Sequence, residues 1–153
     1  MKKNHGIATL TVLFLCICGC ASNIQHIPTT QAPVAKNKVF SGSFDNVWSA
    51  AQRVLSEETT FKILDKSSGI MVTELKTIDA NELSLAQTYF LGKTYKSSYT
   101  VNFSQAGNGK TDVKVSVKLQ AVQMVLLSRE EGNENLEGYL RQQLFDKIAA
   151  DLK

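Results

Sequence analysis

The sequence predicts an α+β domain: an antiparallel sheet of four to five strands with two helices packed on one face. Three observations carry that expectation. Tyr95, Tyr99, Val101 and Phe103 alternate with Lys96, Ser98, Thr100 and Asn102, and residues 112–121 alternate strictly between polar and apolar side chains. Each therefore has one buried and one wet face, as in an antiparallel sheet covered on a single side. Residues 43–56 and 133–152 repeat their apolar residues at helical spacing. Gly107-Asn108-Gly109 stands between the two alternating segments and supplies the turn of a hairpin.

In chain order, "KVF" (38–40) reads as a short first strand. Ser43 then caps a helix to about Ser56, its side-chain oxygen taking a first-turn amide, with Asp45 at the positive end of the helix dipole. Phe44, Val47, Trp48, Ala51, Val54 and Leu55 make its apolar stripe. "FKILD" (61–65) and "GIMVTEL" (69–75) read as two strands joined through Lys66-Ser67-Ser68 into Gly69. The strands of the alternating hairpin follow. Leu136, Leu140, Leu144, Ile148 and Leu152 form the stripe of a last helix, with Asn133 as its cap and Glu134 and Glu137 in its first turn. The order is strand, helix, four strands, helix, and a one-sided sheet requires both apolar stripes on the same face.

Upstream of this domain the chain changes character. All three cysteines, Cys16, Cys18 and Cys20, lie in "CICGCAS" (16–22), and the histidines are His5 and His26 alone. A structural zinc site takes four ligands, usually in paired spacings, and this set does not supply them. The flanks fit a different purpose. Lys2 and Lys3 precede the apolar stretch "GIATLTVLFLCICG" (6–19), the order of a secretory signal. The stretch is shorter than the roughly 20 residues that cross a bilayer core. Within it, Ile17-Cys18-Gly19-Cys20 resembles a bacterial lipobox.

That resemblance implies cleavage before Cys20 and lipidation of Cys20 as the new N-terminus. Each buried methylene contributes about 0.8 kcal/mol, so several acyl chains anchor durably where one is marginal. Ala21-Ser22 follow in place of the Asp that often retains such proteins at the inner membrane. The implied location is the outer membrane, with the domain in the periplasm; in a host with one membrane it is that membrane's outer face. Residues 20–37 hold both prolines and no periodicity. They read as the lipidated cysteine and a tether that spans roughly 20–25 Å as a flexible coil. The expected organisation is thus signal peptide 1–19, anchor and tether 20–37, and one domain over 38–153.

Residues 44–75, "FDNVWSAAQRVLSEETTFKILDKSSGIMVTEL", place a Trp-bearing helix, a strand, an acidic-Lys turn ending in Gly, and a second strand in succession. This resembles the helix-grip domains of outer-membrane assembly lipoproteins, notably the C subunit of the barrel-assembly machinery. The resemblance implies architecture and carries no catalytic motif. The insertion at 77–92 departs from a compact version of the pattern.

Loss of Lys2 and Lys3 leaves 15 basic against 14 acidic residues, a net charge of +1, which speaks against a nucleic-acid partner. No disulfide is available to the mature chain, and its fold holds neither a histidine nor a free thiol. No serine stands in a Gly-x-Ser-x-Gly setting. Non-enzymatic action without cofactor or metal is the expectation. "AGNGKT" (106–111) lacks the leading glycine of a phosphate-binding loop and reads as a hairpin turn. Lys96, Lys114 and Lys118 fall on the polar side of the hairpin, where lysines deter edge pairing. Glu130, Glu131, Glu134 and Glu137 lack the alternating ligands of a calcium loop.

Two functional readings remain. The first is a membrane-anchored adaptor or assembly accessory for another cell-envelope protein, which it grips by a sheet edge or by the 77–92 segment. Leu85, Tyr89, Phe90 and Leu91 lack the periodicity that would bury them all, and exposed apolar groups of that size mark contact surfaces. The alternative is a binding module for a lipophilic ligand held between helices and sheet, its groove lined by Trp48, Tyr95, Tyr99 and Phe103.

Overall fold

The computed structural model describes residues 34–78, 93–123, 128–130 and 134–153. Residues 1–33, which hold the expected signal peptide, Cys20 and most of the expected tether, lie outside them, as do residues 79–92 and the expected cap Asn133. The described chain is α+β. Its strands are β1 (Asn37–Ser41), β2 (Phe61–Asp65), β3 (Ile70–Thr73), β4 (Lys76–Thr77), β5 (Lys93–Gln105), β6 (Lys110–Gln123) and β7 (Ser128–Glu130); its helices are α1 (Phe44–Glu58) and α2 (Glu134–Asp151). The sheet is antiparallel with the order β1-β6-β5-β3-β2, and β4 and β7 pair with β5 and β6 beyond that path.

The sheet is therefore larger than the four to five strands expected. The additions are β4 and β7, of two and three residues, too short for an alternation to show. β1 is also longer than the three residues read from sequence, beginning at Asn37. Val34–Lys36 already make contacts with the domain ahead of it.

The hairpin β5–β6 forms the centre. Tyr95, Ser97, Tyr99, Val101 and Phe103 face Ala121, Leu119, Val117, Val115 and Val113 across the ladder, and all ten are buried. The opposite face carries Lys96, Ser98, Thr100 and Asn102 beside Lys114, Ser116 and Lys118. At the tip, Gly107, Asn108 and Gly109 all take positive φ, and Lys110 N–H donates to Gly107 C=O (3.0 Å). The phosphate-loop resemblance of 106–111 is thus a hairpin turn.

α1 forms because Ser43 takes an extended cap conformation and its Oγ accepts the Asn46 amide at 3.3 Å. Its stripe of Val47, Trp48, Ala51, Val54 and Leu55 is buried as its spacing predicts. α2 buries Leu136, Leu140, Leu144 and Ile148, and also Phe145, whose ring meets Phe40 of β1 at 6.1 Å. The buried residues of both helices and of β1, β3, β5 and β6 belong to one cluster.

Between β2 and β3 the chain reverses tightly. Asp65 Oδ1 accepts from Ser67 N–H (3.0 Å), Ser67 Oγ (2.6 Å) and Ser68 N–H (3.2 Å). Gly69 follows at φ +67°, where an added Cβ would lie 2.5 Å from Phe103 C=O. Only glycine fits both the conformation and the approach, and Gly69 C=O in turn accepts the Phe103 amide at 2.8 Å.

Candidate functional site

The structure separates the residues singled out from sequence into three groups. Cys20, Leu85, Tyr89, Phe90 and Leu91 lie outside the described residues. Trp48, Tyr95, Tyr99 and Phe103 are buried, at 3, 4, 6 and 6% exposure. Lys96 is half-buried, while Lys114 and Lys118 are exposed on the polar face of the hairpin.

Within the second group the side chains split into two neighbourhoods. Helical spacing places Phe44 one turn ahead of Trp48, and their rings stack at 5.9 Å. Strand alternation turns Phe103 up beneath them, 5.1 Å from Trp48 and 6.2 Å from Phe44. These rings fill one another's contact surface. Tyr95 and Tyr99 lie farther along the same face of β5, opposite Ala121 and Val117. There Thr73 Oγ1 accepts the Tyr99 amide at 2.9 Å in a buried setting, and Tyr95 C=O accepts from Ile78 N–H. Ser97, between the two tyrosines, has a buried Oγ with no hydrogen-bond partner among the described residues. Leaving a buried hydroxyl unsatisfied costs about 1–3 kcal/mol.

The end of α1 away from the aromatic rings is polar. Glu58 accepts from Lys76 of β4 (2.8 Å) and from Lys147 of α2, joining three elements. Burial works to raise the Glu58 pKa, but hydrogen bonds from Lys147 and Lys76, together with their charges, outweigh it and hold the carboxyl below its usual range. Arg53 and Asp151 pair in the open between the same two helices. Their mutual hydrogen bonds raise the one pKa and lower the other.

Two features escaped sequence reasoning. Arg141 is 5% exposed although charged; its Nε donates to Val115 C=O (3.1 Å) and Nη1 to Val34 C=O (2.8 Å). Its place one residue after Leu140 and three before Leu144 was the available signal. The edge strand β2 also keeps Ile63 and Leu64 at 47 and 44% exposure, on opposite faces. "FKILD" offers no strict alternation to forecast which side would be covered.

Among the described residues, no three His, Cys, Asp or Glu side chains gather as a metal site. Among them, too, no helix is long and apolar enough to cross a membrane. No protein-family model matches the chain, and no curated protein matches it.

Proposed function

We propose that this chain is a lipid-anchored, non-enzymatic adaptor or assembly accessory of the cell envelope, held at the outer membrane through Cys20 with its domain in the periplasm. The observation that carries the reading is the lipobox-like "ICGC" (17–20) shortly before a folded domain that begins by residue 37. The helix-grip likeness is part of the same proposal; it is supported by two helices whose buried residues share one cluster with the covered face of the sheet. Contact with a partner is assigned to a sheet edge or to Leu85, Tyr89, Phe90 and Leu91. Exposed Ile63 and Leu64 on β2 support the edge.

Metabolic labelling with a fatty acid tests the anchor. Cys20→Ser is expected to lose the label and accumulate precursor, whereas Cys18→Ser keeps both label and processing. Label retained by Cys20→Ser would end the lipobox argument. Photo-crosslinking in membranes tests the contact: Tyr89→Ala with Phe90→Ala is expected to abolish partner capture while barely lowering the melting temperature. Capture that persists would move the contact to the β2 edge.

The alternative, a module for a lipophilic ligand, draws its support from Ser97. An unpartnered buried hydroxyl between Tyr95 and Tyr99 is a group that a ligand's polar atom would satisfy. A fluorescent fatty acid that binds stoichiometrically, and is lost in Ser97→Val, would favour it.

A further inference from the structure

Arg141 is a full charge at 5% exposure, and its bonds run to two backbone carbonyls. Buried charge is costly unless its donors are matched, so the two acceptors deserve a reason. Val115 lies on β6 just past the last residue that pairs with β1, since Asn37 faces Lys114. The ladder continues one step: Val115 N–H donates to Lys36 C=O at 2.8 Å. Val115 C=O is met by Arg141 Nε, where a regular antiparallel pair would use the amide of residue 36. The same guanidinium reaches Val34 C=O. Val34 is seated beside Gly138 of α2, where an added Cβ would lie 3.4 Å from Val34 Cγ2. Buried charge, ladder bond and glycine seat converge on residues 34–36.

We infer that residues 34–36 are a strap built into the domain, and that Arg141 is the positioning residue that locks it across the end of β6. Residues 21–33 then separate Cys20 from the strap, and the described chain enters the fold at the β1–β6 edge beside the first turns of α2. In the sheet order β1-β6-β5-β3-β2, that edge is the one opposite β2. Tension from the anchor therefore draws on the β1 side, and the β2 edge with Ile63 and Leu64 is the side turned away from the lipid. This orientation rests on the proposed lipid at Cys20; the strap itself does not.

Trypsin supplies the test, because Lys36 is itself a cleavage site and its carbonyl is the one bonded to Val115. The reference is Lys118–Leu119 within β6, which opens only with the sheet. In the purified full-length chain, Arg141→Met is expected to raise the rate at Lys36–Asn37 about tenfold relative to Lys118–Leu119, since proteolysis follows the population of the locally open form. Arg141→Lys, which keeps a charge but not the two-pronged fork, should fall between. Amide exchange at Val115 should quicken in step. Equal rises at both sites, or no rise, would overturn the strap. If Arg141→Met does not fold, Gly138→Leu, which evicts Val34 and leaves Arg141 in place, must give the same selective cleavage; an unchanged ratio there overturns it too. The anchor is judged separately by the fatty-acid label, so either inference can fail alone.

Discussion

The two ends of α1 are held by opposite means. At its start, Phe44 and Trp48 pack on Phe103, and the turn residue Gly69 comes close enough for its C=O to accept the Phe103 amide of β5. At its finish, Glu58 shares its carboxylate between Lys76 and Lys147, whose side chains stay 23 and 47% exposed. The first end gains by removing large apolar surface from water, at roughly 25 cal/mol per Å2. The second exchanges hydration for ion pairs, and pairs this exposed return about 1 kcal/mol or less. Val54 and Leu55 keep the last turns in the core as well, so the ends differ in what closes them: an aromatic cluster at the start and exposed ion pairs at the finish. The charged end also lies towards β4, after which the chain enters residues 79–92.

The largest expected effect is at the aromatic end. Trp48→Ala should cost roughly 3–5 kcal/mol, read from the urea midpoint at unchanged m-value; a shift below about 1 kcal/mol would make the two ends equivalent. Gly69→Ala comes next. The left-handed conformation alone costs a non-glycine residue of order 1–3 kcal/mol, and the contact with Phe103 C=O adds to it. At the charged end, Glu58→Gln should cost about 1 kcal/mol at neutral pH. The sign with pH follows from the lowered pKa: the contribution is present above the unfolded carboxyl value and is lost as pH falls through the lower folded value. Glu58→Gln should flatten that part of the stability curve, and an unchanged acid limb would mean the two lysines do not act through Glu58. The smallest effect concerns Asp65, whose carboxyl is lowered to about 2 by hydrogen bonds from Ser67 and Ser68. Its 13C chemical shift should titrate near pH 2, and its share of stability should be complete above the ordinary carboxyl value and be lost progressively as pH falls from there to about 2. A midpoint near 4 would show that the turn does not hold its bonds in solution.

The same contrast explains what was legible beforehand. Long apolar repeats declare themselves: Tyr99, Val101 and Phe103 against Val113, Val115 and Val117 fixed the hairpin, and Val47, Trp48 and Leu55 fixed the face of α1. Short or mixed segments do not. Lys76–Thr77 and Ser128–Glu130 are strands because long neighbours offer them unpaired backbone, which no local pattern records. Arg141 is polar by composition and buried by its bonds to Val34 and Val115, so only the assembled edge of β6 explains it. Tyr95, Tyr99 and Phe103 were recognisable as one row, but the grouping of Phe103 with Trp48 of the helix, apart from a tyrosine–serine stretch, needed the position of α1. For Cys20 and for Leu85, Tyr89, Phe90 and Leu91, sequence remains the whole of the argument.

The pairing of β1 with β6 carries a consequence for the order of assembly. The Asn37 side chain bonds Asp112, 75 residues on, whereas β5 and β6 meet across a turn of four residues, 106–109. Closing a local loop costs far less entropy than closing a distant one, so the hairpin can form as soon as both its strands are available. β1 emerges from synthesis ahead of the other strands, yet its partner β6 comes only later. Substitutions in the hairpin, such as Val101→Ala, should mainly slow refolding, while Phe40→Ala in β1 should mainly speed unfolding. A chain threaded N-terminus first thus completes its fold by returning to its own beginning.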